Sequence, residues 1–202
     1  MAIQKSMRRL KKQKEKRVCL PISDSLGYVS SSRNFIFLII GLFSLSLILG
    51  IVFPSVLESF VLGIIRELLE KTKGLNFIGL FVFIFFNNVK TSLIGMFSGL
   101  LLGIFPIFLA ALNGYLLGFV MNYSFRENGI KDIWRIIPHG IFEMPAFFIS
   151  LGLGVKLGYS LLFTKKTFWK DIKMSIKTFV YIVIPLLLIA GLIEASLMFL
   201  FK

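Results

Sequence analysis

Two ionisable side chains stand four residues apart in the stretch Pro138-His139-Gly140-Ile141-Phe142-Glu143-Met144-Pro145, with apolar runs before and after it. On a helix that spacing puts His139 and Glu143 on one face. Charged groups inside a membrane are costly, face the bundle interior and are functional candidates by default. Two polar islands precede this one, Asn87-Asn88-Val89-Lys90 and Asn113-Gly114, and Glu194 stands inside the last apolar run. Counting helical rise places Glu143 and Glu194 in the outer half of the bilayer and Lys90 nearer its middle. A Lys90–Glu143 pair is geometrically allowed, with His139, Asn88 and Asn113 completing a hydrogen-bond network. Two readings stay open. The network fixes helix register and satisfies itself, or it lines an outward-opening cavity in which Glu143 or His139 exchanges protons or contacts a ligand.

Other chemistries find less support. One histidine and two glutamates do not compose a metal site by spacing, and the sequence holds no second histidine. No serine or cysteine is tied by pattern to His139, and no phosphate-binding loop is present. The expectation is a protein without catalytic residues, metal or cofactor. The single cysteine, Cys19, excludes an internal disulfide, and it reads as an ordinary free thiol in a basic tail.

The elements that must hold these residues are membrane spans. Of 202 residues, 56% are hydrophobic and only 16% charged, a balance soluble domains do not carry. Apolar runs long enough to cross the hydrocarbon core extend from about Asn34 to Phe53, Leu75 to Ile104, Ile107 to Tyr123, Trp134 to Phe163 and Thr178 to Phe201. The second is long for one crossing and is expected to be tilted, kinked or broken. Pro106 marks the turn after it, and Pro145 is expected to kink the fourth run or begin a second half. The first run follows a long polar tail and is too long for a signal segment, so it is expected to remain as an anchor.

Residues 55–73 differ. Leu57, Phe60, Val61, Ile64, Ile65, Leu68 and Leu69 recur at helical spacing, while Glu58, Arg66, Glu67, Glu70 and Lys71 fill much of the rest. Ser55 and Glu58 have capping-box spacing. The segment reads as an interfacial amphipathic helix, too charged to span. Small residues then recur every fourth position: Gly95, Gly99 and Gly103; Ala110, Gly114 and Gly118; Ser150, Gly154 and Gly158. Such ladders let helix backbones approach closely in lipid. They predict a tight core of spans two, three and four, with one and five peripheral.

The net charge of +13 is concentrated in the tail and in the stretch Lys165–Lys173. Flanking Lys and Arg orient membrane proteins, and no nucleic-acid motif accompanies them. Starting from a cytoplasmic tail, four crossings return the basic loop 164–177 to the cytoplasm and put the amphipathic helix outside, so span count and charge bias agree. Lys156 lies close enough to the cytoplasmic end of span four to snorkel.

The order NN-x-K, G-x-x-x-G-x-x-x-G, NG-x-x-x-G and PHG-x-x-E-x-P-A across residues 75–162 resembles the stage II sporulation protein M family of multi-pass membrane proteins. Lys90 stands where that family often has a basic residue, commonly arginine. The resemblance implies a membrane domain. In sporulating bacteria the family's namesake anchors a cell-wall-degrading complex, and the resemblance does not by itself carry such partners over.

The sequence therefore predicts an all-α integral membrane bundle of about five transmembrane helices plus one interfacial helix. Residues 1–33 form a basic cytoplasmic tail and 34–202 a single membrane domain. The expected location is the cell membrane, with the C-terminus extracytoplasmic. The leading function is a non-enzymatic scaffold or assembly factor. Its partners are membrane lipids and other membrane or extracytoplasmic proteins; self-association is compatible and nucleic acid is not expected. The alternative is a transporter, channel or lipid-handling protein using the polar residues around His139 and Glu143.

Overall fold

The computed structural model describes residues 21–128 and 133–200; the side chains of residues 69, 127, 128 and 133–139 lie outside that description. Residues 1–20, with most of the basic tail and Cys19, lie outside it too. The described chain is all-α. Helix α1 (residues 21–31) leads into α2 (Arg33–Val52), followed by α3 (Glu58–Thr72), α4 (Phe77–Phe97), α5 (Ile104–Asn128), α6 (Ile133–Phe163), α7 (Phe168–Thr178) and α8 (Ile184–Leu200). Five helical stretches are long and apolar enough to cross a membrane: 33–52, 77–100, 104–126, 140–163 and 168–200. Helix α3 lies at one end of the bundle, here the α3 side, and α1 and α7 at the other, the α7 side.

The second and third crossings meet at a tighter break than the sequence suggests. Helix α4 ends at Phe97 and tightens into a 3-10 turn at Ser98–Leu100. The chain then reverses through Leu102 and Gly103, both at positive φ (60° and 73°). The Gly103 amide closes the turn on the Gly99 carbonyl at 2.7 Å. Pro106 is therefore not the turn. It occupies the first turn of α5, where its missing N–H has no intrahelical acceptor to lose. Gly103 likewise belongs to the turn rather than to a helical ladder.

The basic stretch Lys165–Lys173 is not wholly a loop. From Phe168 the chain is helical through α7 and into α8, joined by one wide π turn at Phe179–Val183. Pro185 explains the wide turn: a proline in a helix interior removes one backbone donor and crowds the preceding turn, and a π-bulge absorbs both. Pro145, in contrast, sits inside an unbroken α6.

Helix α6 is the bundle's axis. Most of its span is buried, whereas less than a third of each of the other four is. Leu151, Leu153 and Leu157 are fully buried, as are Val183 of the π turn, Leu187 of α8 and Met96 of α4. In lipid the hydrophobic effect does not drive such contacts, because acyl chains are as apolar as leucine; close packing must. The glycines supply it. A methyl on Gly99 would run into the Gly154 carbonyl, and one on Gly158 into the Gly103 backbone, so α4 and its turn lie directly on α6.

The ladder on α5 serves a different neighbour from the one expected. Gly114 and Gly118 lie against the Phe43 and Leu47 carbonyls of α2, and Gly50 of α2 lies against Tyr115 and Phe119. Positions rise together in both helices, so α2 and α5 run parallel, as the first and third crossings must. Asn122 seals the pair by donating to the Ile51 carbonyl at 2.9 Å. Span one is thus part of the tight core, and its contact with α5 is the most extensive between helices among the described residues. Span five is not peripheral either, since it packs on both α4 and α6.

The capping box does not form. Pro54–Leu57 is a 3-10 turn with no side-chain cap, and α3 begins at Glu58. The Tyr115 hydroxyl instead organises the entry: it donates to the Phe53 carbonyl at 2.7 Å and accepts from the Leu57 amide at 3.2 Å. Val61, fully buried, then packs α3 onto Tyr115 and Phe119. On the outer face Lys71 pairs with Glu67 at 2.6 Å and holds that carboxyl below its ordinary range.

Candidate functional site

Beneath α3 lies a cavity of about 470 Å³, inside the range of small-molecule sites. Six helices line it: α2, α3, α4, α5, α6 and α8. Its polar groups are Asn87, Asn88, Thr91 and Ser92 of α4, Asn113 of α5, Glu143 of α6, Glu194 of α8 and Thr72 of α3. Apolar side chains fill the rest of the wall, among them Phe43, Phe147, Leu187 and, from α3, Ile64, Ile65 and Leu68.

Local structure explains the convergence. On α4, Asn88 and Ser92 are one turn apart, as are Asn87 and Thr91, so two adjacent rows face the same space. Ser92 presents its carbonyl to the buried Ser150 hydroxyl of α6, which donates at 2.7 Å and ties the two helices at this level. Asn113 donates one amide hydrogen to the Leu109 carbonyl of its own helix at 2.8 Å, which fixes its rotamer. Glu143 enters near the start of the fourth span and Glu194 near the end of the fifth, and both ends lie on the α3 side. The cavity therefore runs from mid-bundle towards α3.

Five of the polar positions singled out in the sequence meet here: Asn87, Asn88, Asn113, Glu143 and Glu194. Lys90 does not. It is exposed, and among the described residues it has no hydrogen-bond or ion-pair partner. The reason is helical geometry: two residues turn a helix by about 200°, so Lys90 faces away from Asn88. The Lys90–Glu143 pair does not form. His139 is on the backbone of α6 one turn before Glu143, and its side chain lies outside the described residues. Among the described residues no group of three His, Cys, Asp or Glu side chains could hold a metal ion. Sequence reasoning missed Thr72, Thr91 and the role of α3 as a wall. The spacing of Thr91 four after Asn87 was the available signal.

A second polar cluster closes the α7 side. Asp171 is buried and accepts from the Tyr28 hydroxyl at 2.9 Å and from the Ser160 hydroxyl at 2.6 Å. The Lys156 ammonium reaches Ser32 Oγ at 2.9 Å and lies 3.7 Å from the centre of the Tyr28 ring. Lys177 pairs with Asp24 at 2.6 Å. Burial, and then the Asp171 carboxylate, push the Tyr28 phenol above its ordinary range. These groups satisfy one another and bind α1 to α6 and α7.

The family description "Stage II sporulation protein M" matches residues 35–197, and the chain belongs to that family. A segment of 107 residues is 34% identical to an uncharacterised protein of Methanocaldococcus jannaschii, covering 49% of this chain and 48% of that protein. The chain thus spans about half the length of this curated relative. No solved structure matches it.

Proposed function

We propose that this family member takes a small polar solute or a lipid headgroup into the cavity beneath α3, as a transporter or lipid-handling protein of the cell membrane. The observation that carries the reading is the convergence of Asn87, Asn88, Asn113, Glu143 and Glu194 on one space. Carboxamides both donate and accept, and carboxylates accept from hydroxyl and ammonium groups. Such a wall suits a ligand rich in hydrogen-bond donors, with the apolar remainder able to hold an attached chain. In the orientation given by the basic flanks the N-terminus is cytoplasmic, and the cavity and α3 face outward. The reading is non-enzymatic: binding and passage, with no covalent step, no cofactor and no nucleic acid.

The test is gentle purification from native membranes, wild type beside Glu143→Gln and Glu194→Gln, with bound lipids and solutes identified by mass spectrometry. A molecule retained by the wild type and lost from folded variants supports the reading. Equal retention in all three counts against it.

A second reading is a scaffold or assembly factor. Lys90 favours it, because an exposed cation on a spanning helix calls for a neighbour outside this chain.

A further inference from the structure

Lys90 lies thirteen residues after Phe77 and ten before Leu100, the two ends of the second span. At helical rise that is about 20 Å from one end and 15 Å from the other. A four-carbon stem reaches roughly one helical turn, so the ammonium cannot snorkel to either interface. It is exposed and has no partner among the described residues. Around it α4 presents Val82, Phe86, Leu93 and Phe97, all exposed. With Lys90 they step by four, four, three and four, the seam spacing by which one helix packs along another. The face is an apolar strip with one cation at its centre, set at mid-depth.

We infer that this face of α4 docks a transmembrane helix of another protein that carries a carboxylate at mid-depth. Charge complementarity names the occupant. Lipid tails offer Lys90 no acceptor, and charged groups at this depth pair with one another. A second copy meeting the same face by two-fold symmetry would set Lys90 against Lys90. The acids of the described spans are turned inward: Glu143 and Glu194 line the cavity, and Asp171 is buried and accepts from Tyr28 and Ser160. The partner therefore brings its own carboxylate. This deepens the scaffold reading and is independent of the cavity.

The test uses the full chain in phosphatidylcholine vesicles and a synthetic leucine–alanine spanning peptide with one central glutamate, its glutamine counterpart serving as control. Association is read by energy transfer between labels. The glutamate peptide should bind the wild type about tenfold more tightly than it binds Lys90→Met, and about tenfold more tightly than the glutamine peptide binds the wild type. Lys90→Glu should reverse the preference towards a lysine peptide. Equal binding of the glutamate peptide to wild type and Lys90→Met would overturn the proposal. Lys90 is exposed and makes no hydrogen bond or ion pair among the described residues, so these variants should fold, and unchanged ligand retention by Lys90→Met separates this result from the cavity reading. In native membranes, a photo-crosslinker replacing Phe86 should capture a spanning helix bearing Asp or Glu at mid-depth, with loss of capture in Lys90→Met. Capture of lipid alone, or of a second copy of this chain, would contradict the proposal.

Discussion

Tyr28 donates a 2.9 Å hydrogen bond to Asp171 Oδ1 across 143 positions of sequence, joining the helix before the first span to the helix that leads into the last. Ser160 donates to the other carboxylate oxygen at 2.6 Å. Tyr28→Phe should cost about 1 kcal/mol, the net worth of one hydrogen bond. Asp171→Ala should cost more, about 2–4 kcal/mol, because it strands two buried donors at once. Thermal unfolding in detergent would rank the two variants in that order.

The same contact predicts a pH effect. In the folded chain the Tyr28 phenol keeps its proton above the pH at which an unfolded tyrosine, with a pKa of about 10, loses it. The unfolded state then binds fewer protons than the native one, so stability falls as pH rises above about 10, by at most about 1.4 kcal/mol per pH unit. Below that pH the contribution is fully present. Tyr28→Phe should flatten this part of the profile relative to wild type.

Gly118 and Gly41 separate close packing from helix propensity. A methyl at Gly118 meets the Leu47 carbonyl and Ile51 amide of α2, whereas one at Gly41 meets nothing within 4 Å. Gly118→Ala should destabilise by about 1–3 kcal/mol through forced separation of α2 and α5. Gly41→Ala should be neutral or stabilising by up to about 1 kcal/mol. Unfolding midpoints of the two variants check this directly.

Helix α3 should control access to the cavity. Val61 is its fully buried anchor on Tyr115 and Phe119. Val61→Asp should lift α3 and raise the reaction rate of an Asn88→Cys thiol with a polar maleimide, measured in a Cys19→Ser background. An unchanged rate would show that α3 does not cover the site.

Much of this was legible in the sequence for a plain reason: membrane spans are long, apolar and satisfy their own backbone. The polar residues that interrupt them stand out, and Asn88, Asn113, Glu143 and Glu194 could be singled out before their meeting place was known. What stayed hidden was helix rotation and pairing. Lys90 follows Asn88 by two residues, and grouping them by proximity in sequence overlooked the turn that sets them apart. The Gly114–Gly118 spacing announces a close neighbour without saying that the neighbour is α2. Asp171 lies among lysines and reads as one more solvated charge; only the fold brings Tyr28 and Ser160 to it. The α4–α5 break depends on two successive left-handed residues, and Leu102 gives no sign of that conformation.

The central claim is that the cavity beneath α3 holds a ligand through its amides and carboxylates. Native mass spectrometry of the intact protein, wild type beside an Asn88→Leu, Glu194→Gln double variant, tests it most directly. The account predicts a stoichiometric non-protein adduct on the wild type and its loss, by about tenfold or more in occupancy, from a variant with an unchanged helical content. The same adduct at the same occupancy on both proteins would contradict it.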